Sequence, residues 1–115
     1  MFSLTNAHRY FLYGRPADMR KGFDSLSGLV RGQMKHDPTN GSVYVFMNKN
    51  RNLIKLLHWE YGGFTLYYKR LEKGVFECPE SDEAGGITWS QLMLVVQGIK
   101  LGSVVKKTRY NLPKK

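Results

Sequence analysis

The stretch Val43–Leu71, VYVFMNKNRNLIKLLHWEYGGFTLYYKRL, decides the fold. Three segments rich in β-branched, aromatic and aliphatic residues follow one another in it, at Val43–Asn48, Leu53–Glu60 and Phe64–Leu71, with polar or glycine-containing turns between them. These turns are too short for a crossover connection, so neighbouring strands must run antiparallel. The stretch therefore predicts a three-stranded antiparallel meander.

Both faces of this sheet carry apolar side chains. Because side chains alternate along a strand, Leu57 and Trp59 fall on one face of Leu53–Glu60, and Ile54 and Leu56 fall on the other. We expect the first helix to cover one face, and the C-terminal helix or a partner protein to cover part of the other.

Before the meander, the sequence predicts a short strand and then a helix. The aromatic-rich segment His8–Tyr13 favours the strand. Asp18 is a suitable N-cap for the helix, which we expect to end before Pro38, since proline disfavours the α conformation in the preceding residue. The apolar residues at helical spacing are Met19, Phe23, Leu26, Leu29, Val30 and Met34.

After the meander, the acidic stretch Glu77–Gly86 is expected to form an exposed loop leading to a C-terminal helix. Thr88 and Gln91 have the spacing of a capping box at the start of that helix. The predicted fold is a small single α+β domain with the order β-α-β-β-β-α, spanning residues 1–103. Residues 104–115 are expected to form a basic, flexible C-terminal tail.

Length and composition exclude several classes of protein. The chain has 115 residues, of which 42% are hydrophobic, and this is sufficient for one packed domain. Its single cysteine excludes a disulfide framework within the chain and a cysteine-rich zinc site. The longest apolar run, Leu92–Val96, is far shorter than the ~20 residues of a membrane helix, and no signal-peptide pattern is present. We expect a cytoplasmic protein without a membrane partner.

The sequence does not predict an enzyme. The three histidines are widely separated and have no metal-ligand spacing, either with one another or with Cys78. No nearby cation would activate Cys78 as a nucleophile. Asp18 and Asp24 are better interpreted as a helix cap and a solvated position than as a catalytic pair. We therefore predict no catalytic residue, metal ion, cofactor or small-molecule substrate.

The charge balance points instead to a polyanion. Eighteen Lys and Arg residues against nine Asp and Glu give a net charge of +9, which favours nucleic acid as the partner; the alternative is a solvated basic surface that keeps the protein soluble. The candidate DNA-binding residues lie on the first helix, the last strand of the meander and the tail: Arg20, Lys21, Arg31, Lys35, Lys69, Arg70, Lys106, Lys107 and Arg109.

Aromatic residues alternate with cations between Lys55 and Arg70. Bases stack on aromatic rings while phosphates pair with cations, but half-buried strands favour the same rings, and core packing is the better interpretation for most of them. The candidates for exposed aromatic residues are Tyr61, Tyr67 and Tyr68.

The sequence also resembles a known family over nearly its whole length, from about Phe2 to Tyr110. It is similar to the small TnpB accessory protein of insertion-sequence-sixty-six-type transposable elements, the product of their second reading frame. The segments that carry the resemblance are Tyr10–Tyr13, Asp18–Asp24, Leu26, Gly28–Val30, Val43–Phe46, Asn48–Lys49, Lys55–Glu60, Gly62–Phe64, Leu66–Gly74 and Phe76.

The resemblance implies a bacterial protein that assists DNA transposition without catalysing it. Its implied partners are the element's large transposase, which carries the catalytic carboxylates, and a sister accessory protein. Two mechanisms stay open at this point. One is DNA binding, with weak sequence preference, through the cations named above; the other is an adapter that docks onto the transposase or the sister protein through an apolar sheet face.

Overall fold

The computed structural model of the chain describes residues 4–98 and contains one sheet with helices on both sides. The strands are Tyr10–Leu12 (β1), Val43–Met47 (β2), Leu53–Glu60 (β3), Gly63–Arg70 (β4) and Gly86–Ile87 (β5). The α-helices are Phe23–Leu29 (α1), which continues into a π-helical segment at Val30–Met34, and Trp89–Val96 (α2). Within this part of the chain the strand order is β4-β3-β2-β1-β5.

The predicted antiparallel meander is confirmed. β2 pairs antiparallel with β3, and β3 with β4, so that Leu57 lies between Tyr44 and Leu66. β3 begins and ends as predicted, and the other two strands differ by one residue at their ends. Tyr61 and Gly62 join β3 to β4 with φ angles of 52° and 82°, the left-handed conformation that matches a two-residue turn to the twist of its strands.

The predicted α+β class is confirmed, but the sheet is larger than the meander. β1 pairs parallel with β2, placing Tyr10 beside Val43, and antiparallel with β5, placing Tyr10 beside Ile87. Parallel neighbours need a long connection, which α1 and its π-helical continuation supply. β5 was not predicted, because a two-residue strand has no alternation of its own and forms only where β1 offers a free edge.

The two helices cover opposite faces of the sheet, in agreement with the sequence-based expectation. On one face, Leu26 and Val30 pack with Tyr44, Phe46 and Leu57, all fully buried or nearly so. Alternate residues of the same strands face the other way. The result is two separate apolar layers.

The second layer lies under α2. Leu92 and Val95 pack with Val45, Leu56 and Phe76, and each of these side chains is at most 1% exposed. The predicted capping box is present: the Gln91 backbone N–H donates to Thr88 Oγ1 at 3.0 Å, and the Thr88 N–H donates to Gln91 Oε1 at 2.8 Å. Within residues 4–98, no helix has the length and apolar character needed to cross a membrane.

The prediction that Asp18 caps the first helix is wrong. α1 begins at Phe23, with Gly22 at its N-cap position. The Asp18 carboxylate instead accepts a hydrogen bond from the Arg20 N–H at 2.9 Å, and the Lys21 N–H donates to the Asp18 carbonyl at 3.0 Å. The carboxylate therefore stabilises a separate turn that precedes the helix.

A buried lysine fixes that turn to the sheet. Lys55 Nζ, on β3, donates to the carbonyl oxygens of Met19 and Lys21, both at 2.7 Å, and the Lys55 side chain is buried. Burial lowers the pKa of the Lys55 ammonium, while the Asp18 carboxylate opposes this shift. The helical segment then ends at Met34, before Pro38 as predicted.

The acidic loop is exposed over most of Glu77–Gly86, as expected, although its last residue begins β5. The predicted domain end at residue 103 and the predicted tail at 104–115 lie outside the described residues.

Candidate nucleic-acid interface

Two of the predicted DNA-binding arginines are paired with carboxylates close to them in sequence. Arg20 Nη2 lies 2.7 Å from Asp18 Oδ2, and Arg70 Nη2 lies 3.1 Å from Glu72 Oε2. The Arg20 guanidinium holds the pKa of the Asp18 carboxyl well below its usual range. A phosphate binding to either arginine would compete with a carboxylate already in place.

The two predicted cations at the end of the first helical segment also lie near acidic residues. Arg31 Nη1 is 3.9 Å from Asp37 Oδ1. Lys35 lines a shallow cleft together with Asp82 and Glu83 from the acidic loop. These carboxylates reduce the positive potential that an approaching phosphate would meet.

Lys69 has a structural role. It lies on the face of β4 that meets α2, and its Nζ donates to the carbonyl oxygen of Val96, the last residue of α2, at 2.8 Å. A cation at this place donates to a carbonyl that has no partner within the helix, and it interacts favourably with the negative end of the helix dipole. The hydrogen bonds of Lys21 are made by its backbone, whose N–H donates to the Asp18 carbonyl and whose carbonyl accepts from Lys55. Lys106, Lys107 and Arg109 lie outside the described residues.

The three predicted aromatic residues have different environments. Tyr61 is fully exposed at the tip of the β3–β4 turn, and Tyr68 is 53% exposed. Lys55 Nζ lies 4.8 Å from the centroid of the Tyr68 ring. Tyr67 is half-buried and packs in the apolar layer under α2.

Sequence reasoning missed a different group of cations, which the pairing of β1 with β2 brings together. The carboxyl ends of these parallel strands lie at the same edge of the sheet. The chain after β1 stays beside β2: the Tyr13 N–H donates to the Val45 carbonyl at 2.9 Å, and the Ala17 N–H donates to the Met47 carbonyl at 2.8 Å. Residues 13–17 therefore meet the loop that joins β2 to β3.

Arg15 from the first segment and Lys49 and Arg51 from the loop line one cavity of about 120 Å³. In the part of the chain that the structure describes, none of these three side chains forms an ion pair or a hydrogen bond, and none of the residues lining the cavity is acidic. We call this group the rim cations. The sequence signal is a basic, asparagine-rich hairpin loop, which by itself indicates only a connection between strands.

The inner surface of the cavity is mainly apolar. It includes Leu12 and Met47 from the ends of the two strands, together with residues Tyr13, Pro16 and Cys78. The Tyr13 ring itself packs in the layer under α1, on the other face of the sheet from Leu12 and Met47, with 5.6 Å between its centroid and that of Phe46.

Hydrogen bonds hold the β2–β3 loop in place. Asn48 Oδ1 accepts from the Leu53 N–H at 3.0 Å, and Asn48 Nδ2 donates to Asn52 Oδ1 at 2.7 Å. Arg51, with φ of 57°, accepts from the Phe76 N–H at 2.6 Å through its carbonyl. These bonds involve the backbone of Arg51 and leave its guanidinium unengaged, so the loop presents its cations on a fixed frame.

His58 is a buried titratable side chain that does not line this cavity. His58 on β3 is 5% exposed, its Nδ1 lies 3.7 Å from Glu60 Oε1, and its ring contacts the ring of His8 at 4.9 Å between centroids. Burial is the largest cause of a lowered pKa at His58. Among the described residues, no group of three His, Cys, Asp or Glu side chains is arranged to hold a metal ion.

Comparison with known proteins supplies the family. A family profile described as IS66 Orf2 like protein matches residues 8–106. The uncharacterized protein y4hO of Sinorhizobium fredii is 38% identical over 84 residues, covering 71% of this chain and 72% of the relative. The uncharacterized protein y4jC of the same organism is 30% identical over 100 residues, covering 86% of each chain. No solved structure matches. The chain therefore belongs to the IS66 Orf2-like family, the accessory proteins of IS66-type insertion sequences.

Proposed function

We propose that this protein assists transposition by binding DNA, and that the rim cations Arg15, Lys49 and Arg51 are its main phosphate contacts. The observation that carries the proposal is that three cations without an internal partner among the described residues line one cavity that has no acidic residue. Phosphates bind where Lys and Arg side chains are available, and such contacts position a protein on DNA without reading its sequence.

The other cations have secondary roles in this proposal. The net charge of +9 raises the encounter rate with a polyanion, and Lys21, Lys106, Lys107 and Arg109 stay in the proposal as further contacts. Arg20, Arg31, Lys35, Lys69 and Arg70 are expected to contribute less, because each has an acidic neighbour or a carbonyl partner within the protein.

The adapter role is the alternative, with the transposase or the sister accessory protein as its partner. That role was expected to use an apolar sheet face. Over residues 4–98, α1 and α2 cover the two faces of the sheet. Because these helices already cover the faces that an adapter was expected to use, we favour the DNA-binding role.

The test measures binding to labelled duplex and single-stranded oligonucleotides by fluorescence anisotropy over a range of salt concentrations. A triple variant, Arg15→Gln/Lys49→Gln/Arg51→Gln, should bind more weakly. For duplex DNA, the slope of the logarithm of the binding constant against the logarithm of the salt concentration should become less steep by about 0.9 for each phosphate that the protein no longer neutralises. The matched control, Arg20→Gln/Arg31→Gln/Arg70→Gln, removes the same charge from ion-paired positions and should retain most of the slope.

Equal flattening in both triple variants would mean that net charge, and not the cavity, determines binding. If the wild-type protein bound no DNA at low salt but captured its transposase in a salt-insensitive complex, the adapter role would replace the present proposal.

A further inference from the structure

We propose that two copies of this protein form a dimer by pairing the free edges of their β4 strands in antiparallel orientation. Within residues 4–98, β4 is the outermost strand on one side of the sheet and pairs only with β3. Pairing with a second copy joins the two sheets into one. The rim cations are not part of this surface, and the inference does not depend on DNA binding.

The two edges of the sheet differ in length and protection. β5 has two residues, whereas β4 has eight and pairs with β3 along its whole length without a bulge. Proteins usually protect a long edge with a bulge, a proline or a charge. The two cations of β4 occupy its last two positions, where Lys69 donates to the Val96 carbonyl and Arg70 pairs with Glu72. The rest of the edge is therefore open to another strand.

The backbone of β4 presents hydrogen-bonding groups at this edge. Along an antiparallel ladder, every second residue bonds to the neighbouring strand. The Leu71 N–H donates to the Asn52 carbonyl on the β3 side at 2.8 Å, so the odd-numbered residues of β4 bond to β3 and the even-numbered ones point away from it. Within residues 4–98, the backbone groups of these outward-facing residues have no hydrogen-bond partner. They are Phe64, Leu66, Tyr68 and Arg70.

The side chains of β4 also fit a second copy. A twofold axis lets one strand complement itself, and the register that uses every outward-facing residue pairs Phe64 with Arg70 and Leu66 with Tyr68 of the second copy. This register puts the axis at Tyr67. Tyr68 is 53% exposed, and Leu66 is half-buried at the margin of the layer under α1. Because aromatic and aliphatic cross-strand pairs stabilise a sheet, the dimer gains from covering the Tyr68 ring.

Charge favours a second copy as the occupant of the edge. In this register Lys69 of one copy lies beside Thr65 of the other, and Thr65 Oγ1 donates to Glu60 Oε2 at 3.2 Å. The basic end of each strand therefore meets the end that carries an acid. Residues 99–115 of the same chain contain six Lys and Arg residues and no acid, so they offer only like charges to Lys69 and Arg70.

The first experiment measures the mass of the full chain by sedimentation equilibrium, without DNA, over a range of protein concentrations. The mass should rise from the 13.3 kDa of one chain toward twice that value. Thr65→Lys places a cation at an exposed strand position, opposite Lys69 of the second copy. Because directly opposed like charges destabilise a strand pair, and the twofold axis repeats the contact, the dissociation constant of the dimer should increase about 2- to 30-fold.

Ser81→Lys is the matched control for charge. It also replaces an exposed hydroxyl side chain by lysine, but it lies in the acidic loop, where Ser81 lines a cleft with Leu12 of β1. The dissociation constant of this variant should equal that of the wild type.

A disulfide trap tests the register directly. In a Cys78→Ser background, Tyr67→Cys places two thiols across the axis, in a non-hydrogen-bonded pair whose Cα atoms lie about 4.5 Å apart, within the range that a disulfide spans. Tyr61→Cys is the control: Tyr61 is fully exposed, but its two copies lie roughly 40 Å apart along the paired strands. Mild oxidation should link Tyr67→Cys into a dimer and leave Tyr61→Cys as single chains.

Two results would overturn the inference. If the mass stays at 13.3 kDa at every concentration and Tyr67→Cys forms no more disulfide than Tyr61→Cys, the edge does not bind a second copy and is left to residues 99–115 or to a strand of another protein. If a dimer forms but neither Thr65→Lys weakens it nor Tyr67→Cys traps it, the interface lies elsewhere. Neither result changes the salt-dependence test of the rim cations, so the DNA-binding proposal stands or fails separately.

Discussion

The β3–β4 hairpin and the loops that follow β1 and β2 both carry cations, but they use them differently. Lys55 and Lys69, on the hairpin, donate to backbone carbonyl oxygens inside the protein. Arg15, Lys49 and Arg51, on the loops, line a cavity and have no partner within residues 4–98. Each of these side chains carries the same formal charge, but only those on the loops are available to a ligand.

The difference follows from secondary structure. Where a helix covers a strand, a side chain on that face lies in a packed layer, as Lys55 and Lys69 do, and a charged group there must find hydrogen-bond partners. A side chain on a loop beyond the ends of strands can stay in water. Net charge counts both kinds of cation equally, whereas only the second kind is free to bind a phosphate.

The largest expected effect on stability is at Lys55. Lys55→Met keeps most of the apolar stem but removes the donor from the carbonyl oxygens of Met19 and Lys21, which should lower the free energy of unfolding by about 1–3 kcal/mol. Urea unfolding measures this change. A decrease no larger than that of Lys73→Met, which removes an exposed cation, would show that water replaces the ammonium and that the hairpin cations are not anchors.

The next effect concerns pH and the buried His58. Because burial lowers the pKa of His58 below its ordinary 6.5, the unfolded chain binds this proton more readily than the folded protein. The corresponding stability is fully present above pH 6.5 and is lost as the pH falls toward the folded pKa, with a slope of at most about 1.4 kcal/mol per pH unit.

The measurement is urea unfolding between about pH 7.5 and 5, a range that brackets the ordinary histidine pKa, for the wild type and for His58→Leu. The variant should lack the part of the slope that His58 supplies, while Glu60 and His8, the charged and titratable neighbours, remain. An unchanged slope in the variant would contradict the assignment.

Lys69 should have a smaller effect than Lys55. Lys69→Met removes the donor to the Val96 carbonyl at the end of α2, where a cation contributes about 0.3–1 kcal/mol. The decrease in the free energy of unfolding in urea should exceed that of Lys73→Met, the exposed control in the loop after β4. A decrease equal to that of the control would place Lys69 among the cations available to DNA.

The smallest effect on stability is expected for the rim cations. The triple variant Arg15→Gln/Lys49→Gln/Arg51→Gln should have a free energy of unfolding within about 0.5 kcal/mol of the wild type, as surface substitutions usually do. A larger decrease would mean that these side chains serve the fold, and the contrast between the loops and the hairpin would disappear.

Local patterns account for what the sequence predicted. Alternation and short turns determined β2, β3 and β4, and the spacing of Thr88 and Gln91 identified the start of α2. The prediction for Asp18 was wrong because a carboxylate that caps a turn and one that caps a helix have the same sequence signature. The bonds from Lys55, which hold the turn at Met19–Lys21 against the sheet, are visible only in the structure.

The candidate site could not be predicted in the same way. Lys69 and Arg70 are adjacent in sequence, and their charge alone predicts the same DNA-binding role for both. In the structure, however, Lys69 faces α2 and Arg70 faces the opposite side of β4. Arg15 is distant in sequence from Lys49 and Arg51, and the parallel pairing of β1 with β2 brings them to one cavity. No local pattern contains that pairing.

The position of β1 has a further consequence, for the order of folding. β2, β3 and β4 are joined by short turns, whereas β1 must find Val43 across α1 and Ile87 near the other end of the described chain. Contacts between residues distant in sequence form more slowly. We therefore expect the meander to form first and the cavity to close last. A nascent chain that is cut off before β5 has been synthesised would carry the loops of the rim cations without the complete sheet that holds them.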